Sequence, residues 1–592
     1  MTRIEDNNTR VALSADVSRL SGPTRRMSDN DSARPHNRDG LFRQAIETGR
    51  TRLLITGTIL ALSFATIGVR LVDVTALRMP SESRDIHAAR TEPIKTSRSN
   101  ITDRNGTIVA TELRTVSLSA NPKHILDAQE AAVKLASVLP DQSASALAKK
   151  LSSGRRFVWI QRQLTPLQQW EVNALGIPGL EFHAEESRVY PQGRLLSHIL
   201  GFTDIDNNGI SGIEKEFDKS LRNGDAPLRL SIDTRLQYLM RRELSSAIKE
   251  FSAIGGTGLI MDARNGEILS MVSLPDFDPN HPGEANSEAL FNRSTLGIYE
   301  LGSTFKIFNS ALALESGVAK LDTEFDASKP LRVARFTIND YHGKNRWLSL
   351  AEVFIYSSNI GSAQMVSEVG PVAQKAFMDK LGFLSQVPVE LPETGSPLYP
   401  KVWRPINMMT ISYGHGIAIS PLHLAAGVAA MVNGGVMHNP TLIASDEPRK
   451  GHRIISKRTS KAVRKLMRLN NIDGSGKKSN AVGYLVGGKT GTAEKVNANG
   501  GYARKSLISS YVAAFPMNDP KYIVYVVLDE PHGTKATFGY ATGGWVAAPV
   551  VSRVVSQMGP MLGIEPVDAE APEVRQELAI GSPKGGKTLA SF

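Results

Sequence analysis

The sequence predicts an α+β protein on one N-terminal membrane helix, in which a small extramembrane platform precedes a larger domain. Three observations predict this fold class. An uncharged apolar run fills residues 53–69. Strand-like segments at 258–262 and 267–273 flank the turn Arg264-Asn265-Gly266, and a second such pair, 508–515 and 522–528, lies far downstream around residues 516–520. Helical patterns fill the interval, so one sheet must be assembled from both ends of a single α+β unit.

The apolar run continues past Arg70 into Leu71 and Val72. With Arg70 snorkelling, residues 53–72 approach the ~20 needed to cross a bilayer. A cleaved signal peptide would need a charged leader far longer than usual, and Val74-Thr75-Ala76 is a weak cleavage match. Arginines flank both ends, Arg38, Arg43, Arg50 and Arg52 before and Arg70, Arg78, Arg84 and Arg90 after, so charge asymmetry does not set the orientation. Residues 1–52 hold ten arginines and seven acidic residues with few large apolar ones, which predicts a disordered cytoplasmic tail beside anionic lipid. The rest of the chain is then expected outside.

Composition narrows the chemistry. The 592 residues are 41% hydrophobic and include no cysteine, which excludes disulfides, a thiolate nucleophile and cysteine-ligated metal. A formal charge of +11 is scattered, with no aromatic-basic stripe, so no nucleic acid partner is expected. His198, His415 and His423 lack ligand spacing and read as structural; neither a metal nor a cofactor is expected.

The expected organisation follows composition shifts. A charged linker, 79–98, leads into short strands and turns such as Asp103-Arg104-Asn105-Gly106, with a helical patch at 131–151. Residues 73–226 form this platform, and the boundary falls near residues 224–227. The larger domain, 227–565, opens with a helix near Asp233. Residues 566–592 carry Pro, Gly, Ser and Lys without periodicity and are expected to be disordered.

Three short motifs follow in order within that domain: Ser303-Thr304-Phe305-Lys306, Ser357-Ser358-Asn359 and Lys489-Thr490-Gly491-Thr492. Ser303 opens an apolar helix predicted over 304–316 with Gly317 as its stop, and Lys306 lies on the same face, where its amine can take the hydroxyl proton. That role needs a neutral amine, which an apolar helix and a second lysine favour. Ser357 and Asn359 are expected in a turn before a helix at 360–369, the hydroxyl relaying a proton and the amide holding Lys306 and a substrate carbonyl. Lys489 is expected at the end of a strand at 483–488. Lys489, Thr490 and Thr492 can bind a carboxylate, small Gly491 lets an extended substrate approach, and the Thr492 and Ser303 N–H groups can face one oxyanion. Each motif alone is weak. Ser246xxLys249, Ser475xxLys478 and Ser28-Asp29-Asn30 match by chance, and a lone SxxK is usually a capped helix with a solvent lysine. The strand followed by GGKTGT lacks the spacing of a phosphate loop.

On these residues the chain resembles the class B penicillin-binding proteins, from the membrane helix to about Glu565. Arg98 with Asp103-Arg104-Asn105-Gly106, Arg188 with Tyr190-Pro191 and Gly193, and Gly212-Ile213-Glu214 are similar to that family's pedestal motifs, although Ser99 stands where glycine is usual. Tyr299-Glu300-Leu301-Gly302 is similar to its Tyr-Glu-Pro-Gly, with Leu301 replacing proline. Asp529-Glu530-Pro531 and residues 540–549 resemble the division-specific subgroup of Gram-negative bacteria. The resemblance implies a serine β-lactamase-like transpeptidase domain on an elongated pedestal of the dimerisation type. It implies a D,D-transpeptidase that acylates Ser303 with a D-Ala-D-Ala stem peptide of peptidoglycan, passes the acyl group to a neighbouring amine in septal wall synthesis, and is blocked by β-lactams. It also implies a membrane-embedded polymerising glycosyltransferase and divisome proteins as partners. An elongation-specific transpeptidase is the nearest alternative, then a β-lactamase, a β-lactam sensor or a division scaffold.

Overall fold

The computed structural model describes residues 38–72, 98–224, 226–496 and 501–579. It contains two compact units, residues 1–95 and 96–592. In the first, one helix, α1 (Arg38–Val72), contains the segment Leu54–Val72, which is long and apolar enough to cross a membrane. The expected disordered tail is corrected here. Residues 38–52 are helical, because Leu41, Phe42, Ala45 and Ile46 continue a helical pattern with no proline to break it. Residues 1–37, and with them most of that expected tail, lie outside the described residues, as do 73–97, which include most of the expected linker.

The second unit opens with a sheet of short β1 (Ile101–Thr102) and long β2 (Ile108–Ala120). The turn between them forms as expected, with Gly106 N donating to the Asp103 carbonyl at 3.1 Å and Gly106 at φ +85. The helical patch resolves into two helices, α2 (Ala128–Val138) and α3 (Ala144–Leu151), because Pro140 cannot continue the first. Their apolar faces, Leu135, Leu139, Leu147 and Leu151, pack with Leu118 and Ile160 into a small separate core. Strands β3 (Val158–Leu164) and β4 (Leu180–Val189) flank β2 antiparallel, and β5 (Leu228–Arg229) joins β1 in parallel. Arg98, Arg188 and Glu214, far apart in sequence, meet under this sheet. Glu214 accepts from Arg98 Nε at 2.7 Å and from Arg188 Nε at 2.6 Å, with all three buried.

Asp233 caps α4 (Thr234–Glu250), the helix expected there. The main sheet then forms from β6 (Gly255–Asp262) and β7 (Ile268–Leu274) together with three strands contributed from much later in the chain. Helices α5 (Lys306–Glu315), α6 (Asn359–Val369), α7 (Pro421–Val432) and α8 (Lys457–Asp473) lie between in sequence. The later strands are β8 (Gly487–Val496), β9 (Tyr502–Phe515) and β10 (Tyr522–Asp529), in the antiparallel order β8-β9-β10-β6-β7. Alternate residues of each central strand enter opposite cores. Leu259 and Met261 pack with α5 and α7, whereas Ile260 packs with α4 and with α9 (Ala548–Met561). Burial on both faces explains why these strands read as unbroken apolar runs.

Three further expectations are corrected. The helix predicted from Thr304 begins as a 3-10 turn, Gly302–Phe305, and becomes α-helical only at Lys306. The strand placed at 483–488 starts at Gly487 and runs through the whole KTGT segment, because residues 481–484 are spent in a turn closed by Tyr484 N on the Ala481 carbonyl. Residues 566 onward are not wholly without structure. Pro572 starts α10 (Pro572–Leu578), and Val567, Ala569, Val574 and Leu578 pack against the core. Residues 580–592 lie outside the described residues.

Candidate active site

A 3-10 turn stacks residue i+3 over residue i. It does so here, bringing Lys306 Nζ to 2.9 Å from Ser303 Oγ. Gly302, at φ +57, makes room for the turn, since a Cβ there would lie 2.7 Å from the Thr492 carbonyl oxygen. Gly414, at φ +83, approaches from another side; its Cβ would lie 2.1 Å from the Gly302 carbonyl oxygen. Only glycine satisfies both the backbone and the clearance. The KTGT strand and the loop 413–416 therefore close directly on the backbone that carries Ser303.

Ser357 holds φ +59, uncommon for a residue with a side chain and the kind of outlier that accompanies functional sites. Its Oγ is approached by two lysine amines, Lys489 Nζ at 3.0 Å and Lys306 Nζ at 3.4 Å. Asn359 opens α6, and its Oδ1 accepts from Lys306 Nζ at 2.7 Å. Ser358 caps the same helix through Gly361 N at 3.0 Å. Sequence reasoning missed Asp340, whose carboxylate accepts from Ser358 Oγ at 2.7 Å, Asn359 N at 2.6 Å and Ile360 N at 3.0 Å. It holds the helix end, and hence Asn359, as an anion at the positive pole of a helix. No fixed spacing links it to the tripeptide, so only the folded chain reveals it.

Lys489 lies near the start of β8, fully buried, and also approaches Thr490 Oγ1 at 3.3 Å. Thr490 Oγ1 meets Ser475 Oγ at 2.9 Å, and Thr492 Oγ1 accepts from Gly543 N at 3.1 Å. Gly491 faces the turn before Ser303, where a Cβ would lie 2.5 Å from the Leu301 carbonyl oxygen. All eight expected residues, Ser303, Lys306, Ser357, Asn359, Lys489, Thr490, Gly491 and Thr492, thus gather in one cluster. Of the three chance matches, Ser246 and Lys249 are exposed on α4, Ser28 lies outside the described residues, and Ser475 touches the site. His198 and His423 are engaged by backbone carbonyls, Ala289 at 2.8 Å and Ser385 at 2.9 Å. His415 instead stands beside the site, where burial and then the Lys306 charge hold its pKa down to about 4.

Burial drives the electrostatics. Removal from water pushes Lys306 well below 10.5, the neighbouring Lys489 charge pushes the same way, and Asp340 opposes them. Burial alone brings Lys489 down to about 7. A neutral Lys306 amine within hydrogen-bond reach of a serine hydroxyl is a base for that hydroxyl. A second lysine and two threonine hydroxyls on the strand alongside are groups that can bind an anion. The arrangement can therefore offer a hydroxyl nucleophile, an amine base, a proton relay and a carboxylate anchor, the set that acyl transfer needs.

Comparison with known proteins agrees with that class. Residues 256–556 match the penicillin-binding protein transpeptidase domain, and residues 93–235 match the penicillin-binding protein dimerisation domain. The chain is 38% identical over 487 residues to the probable peptidoglycan D,D-transpeptidase FtsI of Caulobacter vibrioides, covering 80% of this chain and 82% of that one. It is 33% identical to the probable peptidoglycan D,D-transpeptidase PenA of Neisseria meningitidis, covering 82% and 88%. A peptidoglycan synthetase from Bifidobacterium adolescentis shares the fold, with a TM-score of 0.63 at 22% identity over 80% of this chain and 97% of that one. The chain belongs to the class B penicillin-binding proteins, which join a transpeptidase domain to a dimerisation domain.

Proposed function

We propose that this protein is a septal peptidoglycan D,D-transpeptidase in which Ser303 forms the acyl-enzyme. The observation that carries the reading is the position of Lys306 Nζ, 2.9 Å from Ser303 Oγ and 2.7 Å from Asn359 Oδ1. Lys306 takes the Ser303 proton as Oγ attacks the penultimate D-alanine carbonyl of a stem peptide. The N–H groups of Ser303 and Thr492 receive the oxyanion, while Lys489, Thr490 and Thr492 hold the terminal carboxylate. Ser357, placed between the two lysines, passes a proton to the departing D-alanine amine. An amine of a neighbouring strand then takes the acyl group, and the proton path runs in reverse. A β-lactam enters as a mimic of the dipeptide and leaves Ser303 acylated.

Leu54–Val72, the one segment among the described residues long and apolar enough, is in this reading the membrane crossing. In this reading residues 73–226 form the pedestal and 227–565 the catalytic domain, both in the periplasm, beside a membrane-embedded polymerising glycosyltransferase and other divisome proteins. The septal role is supported by the similarity to the FtsI protein of Caulobacter vibrioides.

The test is covalent labelling of the purified protein with fluorescent penicillin, beside Ser303→Ala. A label on wild type that persists for hours and is absent from the variant supports the transpeptidase. A label that forms and is quickly lost points to a β-lactamase, and no label on folded wild type refutes the acyl-enzyme.

A further inference from the structure

Ser475 and Lys478 repeat the serine-lysine spacing that the sequence dismisses as chance, yet the fold brings Ser475 onto the KTGT strand. Ser475 follows Gly474, the C-cap of α8. Its Oγ lies 2.9 Å from Thr490 Oγ1 and 3.2 Å from Asn470 Oδ1. The orientation of Asn470 is fixed, because its Nδ2 donates to the Gly488 carbonyl at 2.8 Å. Its Oδ1 therefore faces Ser475 and already accepts from Ser475 N at 3.2 Å.

Proton accounting then gives two arrangements. A hydroxyl offers one donor and two acceptor sites. If Ser475 donates to Asn470, Thr490 donates to Ser475 and has no proton for a ligand. If Ser475 donates to Thr490, both lone pairs of Thr490 are filled, by Ser475 O–H and by Lys489 Nζ at 3.3 Å. The Thr490 proton is then left for a ligand. Asn470 Oδ1 keeps the Ser475 N–H in either case, so no buried group is stranded and the rotor turns at low cost when an anion arrives.

Charge reinforces this end of the cleft. The segment carrying Trp545 presses on the same two residues, since a Cβ on Gly544 would lie 2.9 Å from the Ser475 carbonyl oxygen and 3.4 Å from Thr490 Cγ2. Exposed Lys478 rests its Nζ 4.2 Å from the Trp545 ring centroid. Tyr540 stacks on that ring at 5.7 Å, and Phe538 meets it edge-on at 5.8 Å. The aromatic ledge holds the ammonium in place by cation-π attraction. Among the described residues no carboxylate pairs with Lys478, so its charge is not cancelled locally.

We propose that Ser475 and Lys478 form the outer half of the carboxylate subsite, Ser475 directing the Thr490 proton to a bound carboxylate and Lys478 adding positive charge at the mouth. The proposal rests on the acyl-transfer reading above. Ser475 is a positioning residue acting through Thr490, and Lys478 a specificity-determining one.

The test compares benzylpenicillin with its methyl ester, which lacks the carboxylate charge, as acylating agents for the full-length protein. Second-order acylation rates are measured for wild type, Ser475→Ala, Ser475→Thr and Lys478→Met. A hydrogen bond to a charged group predicts that Ser475→Ala slows acylation by the acid about tenfold, with the ester unchanged and with Ser475→Thr restoring the rate. Lys478→Met slows the acid severalfold at low salt, a difference that shrinks once the Debye length falls below ~8 Å. Equal losses for acid and ester in Ser475→Ala reduce Ser475 to a structural role and overturn the proposal. So does an unchanged acid-to-ester ratio in both Ser475→Ala and Lys478→Met. Wild type that neither agent acylates refutes the acyl-transfer reading itself, a separate failure.

Discussion

Replacing Asp340 by alanine tests whether the SSN motif depends on a carboxylate outside it. The carboxylate accepts from Asn359 N at 2.6 Å, Ile360 N at 3.0 Å and Ser358 Oγ at 2.7 Å. Its loss leaves two first-turn N–H groups of α6 without their acceptor. Loss of a helix cap costs about 1 kcal/mol, and loss of the charge at the helix end another ~0.3–1 kcal/mol. With the Ser358 bond included, the disturbance is roughly 2–3 kcal/mol. It falls on the residue whose Oδ1 holds Lys306 Nζ at 2.7 Å. If that energy is expressed in the acylation transition state, the rate falls about 30- to 150-fold at 1.36 kcal/mol per decade. Asp340→Asn keeps one carbonyl acceptor and turns the other oxygen into a donor, so its loss is intermediate. The assay is the second-order rate of labelling by fluorescent penicillin, with thermal unfolding of the same samples to establish the folded fraction. A folded Asp340→Ala protein that is acylated within twofold of wild type would refute the reasoning.

Lys306→Met removes the proposed base, and acylation is expected to fall by about 10²- to 10⁴-fold in a protein that remains folded by circular dichroism. Because only the neutral Lys306 amine can take the Ser303 proton, the wild-type acylation rate is expected to fall on acidification, and stopped-flow labelling across pH measures it. Lys489→Met separates stability from function. The folded state depresses the pKa of Lys489 from 10.5 to about 7, so between those values the unfolded chain binds the extra proton and stability rises with pH; below about 7 the burial cost of roughly 5 kcal/mol is present in full. The variant is expected to melt higher than wild type at pH 6 while losing acylation, and an equal or lower melting temperature there would contradict the assignment. Glu214→Gln leaves Arg98 and Arg188 buried without their shared carboxylate, for which ~3–5 kcal/mol is typical, and limited proteolysis is expected to cut residues 98–224 preferentially.

The elements of the candidate site were legible because their signals are local. Ser303 and Lys306 need only one turn of helix, and the antiparallel pairs at both ends of the domain announce themselves by apolar runs and turn residues. What escaped were relations between distant segments. The cap on Asn359 comes from Asp340 in a stretch without periodicity, and the partner of Thr490 comes from the end of α8. Ser475 was set aside because spacing cannot distinguish a serine pointing at solvent from one lying against a strand. The KTGT strand was placed too early because Gly487 and Gly488 look like a stop, although their missing side chains are what let the strand pass close to Met517 and Tyr511. The disorder expected from residue 566 gives way to a helix at Pro572–Leu578 for a related reason. A short helix such as α10 carries little intrinsic signal and is held by docking residues like Leu578 into a core made elsewhere.

Two lysines aimed at one hydroxyl pose a problem that the geometry itself resolves. Lys489 Nζ lies 3.0 Å and Lys306 Nζ 3.4 Å from Ser357 Oγ, and neither side chain reaches solvent. Both cannot remain ammonium at neutral pH, because each charge raises the cost of the other and burial penalises both. Burial lowers both, Lys306 well below 10.5 and Lys489 to about 7, and position separates their tasks, since Lys306 Nζ is the amine 2.9 Å from Ser303 Oγ. In the proposed acyl transfer Lys306 is the neutral base beside Ser303, and Lys489 is the group that carries charge when an anion binds. A bound carboxylate stabilises the Lys489 ammonium, and that charge in turn keeps Lys306 neutral. In the proposed mechanism, carboxylate binding at Lys489 thus prepares the base at Lys306, with Ser357 Oγ lying between the two.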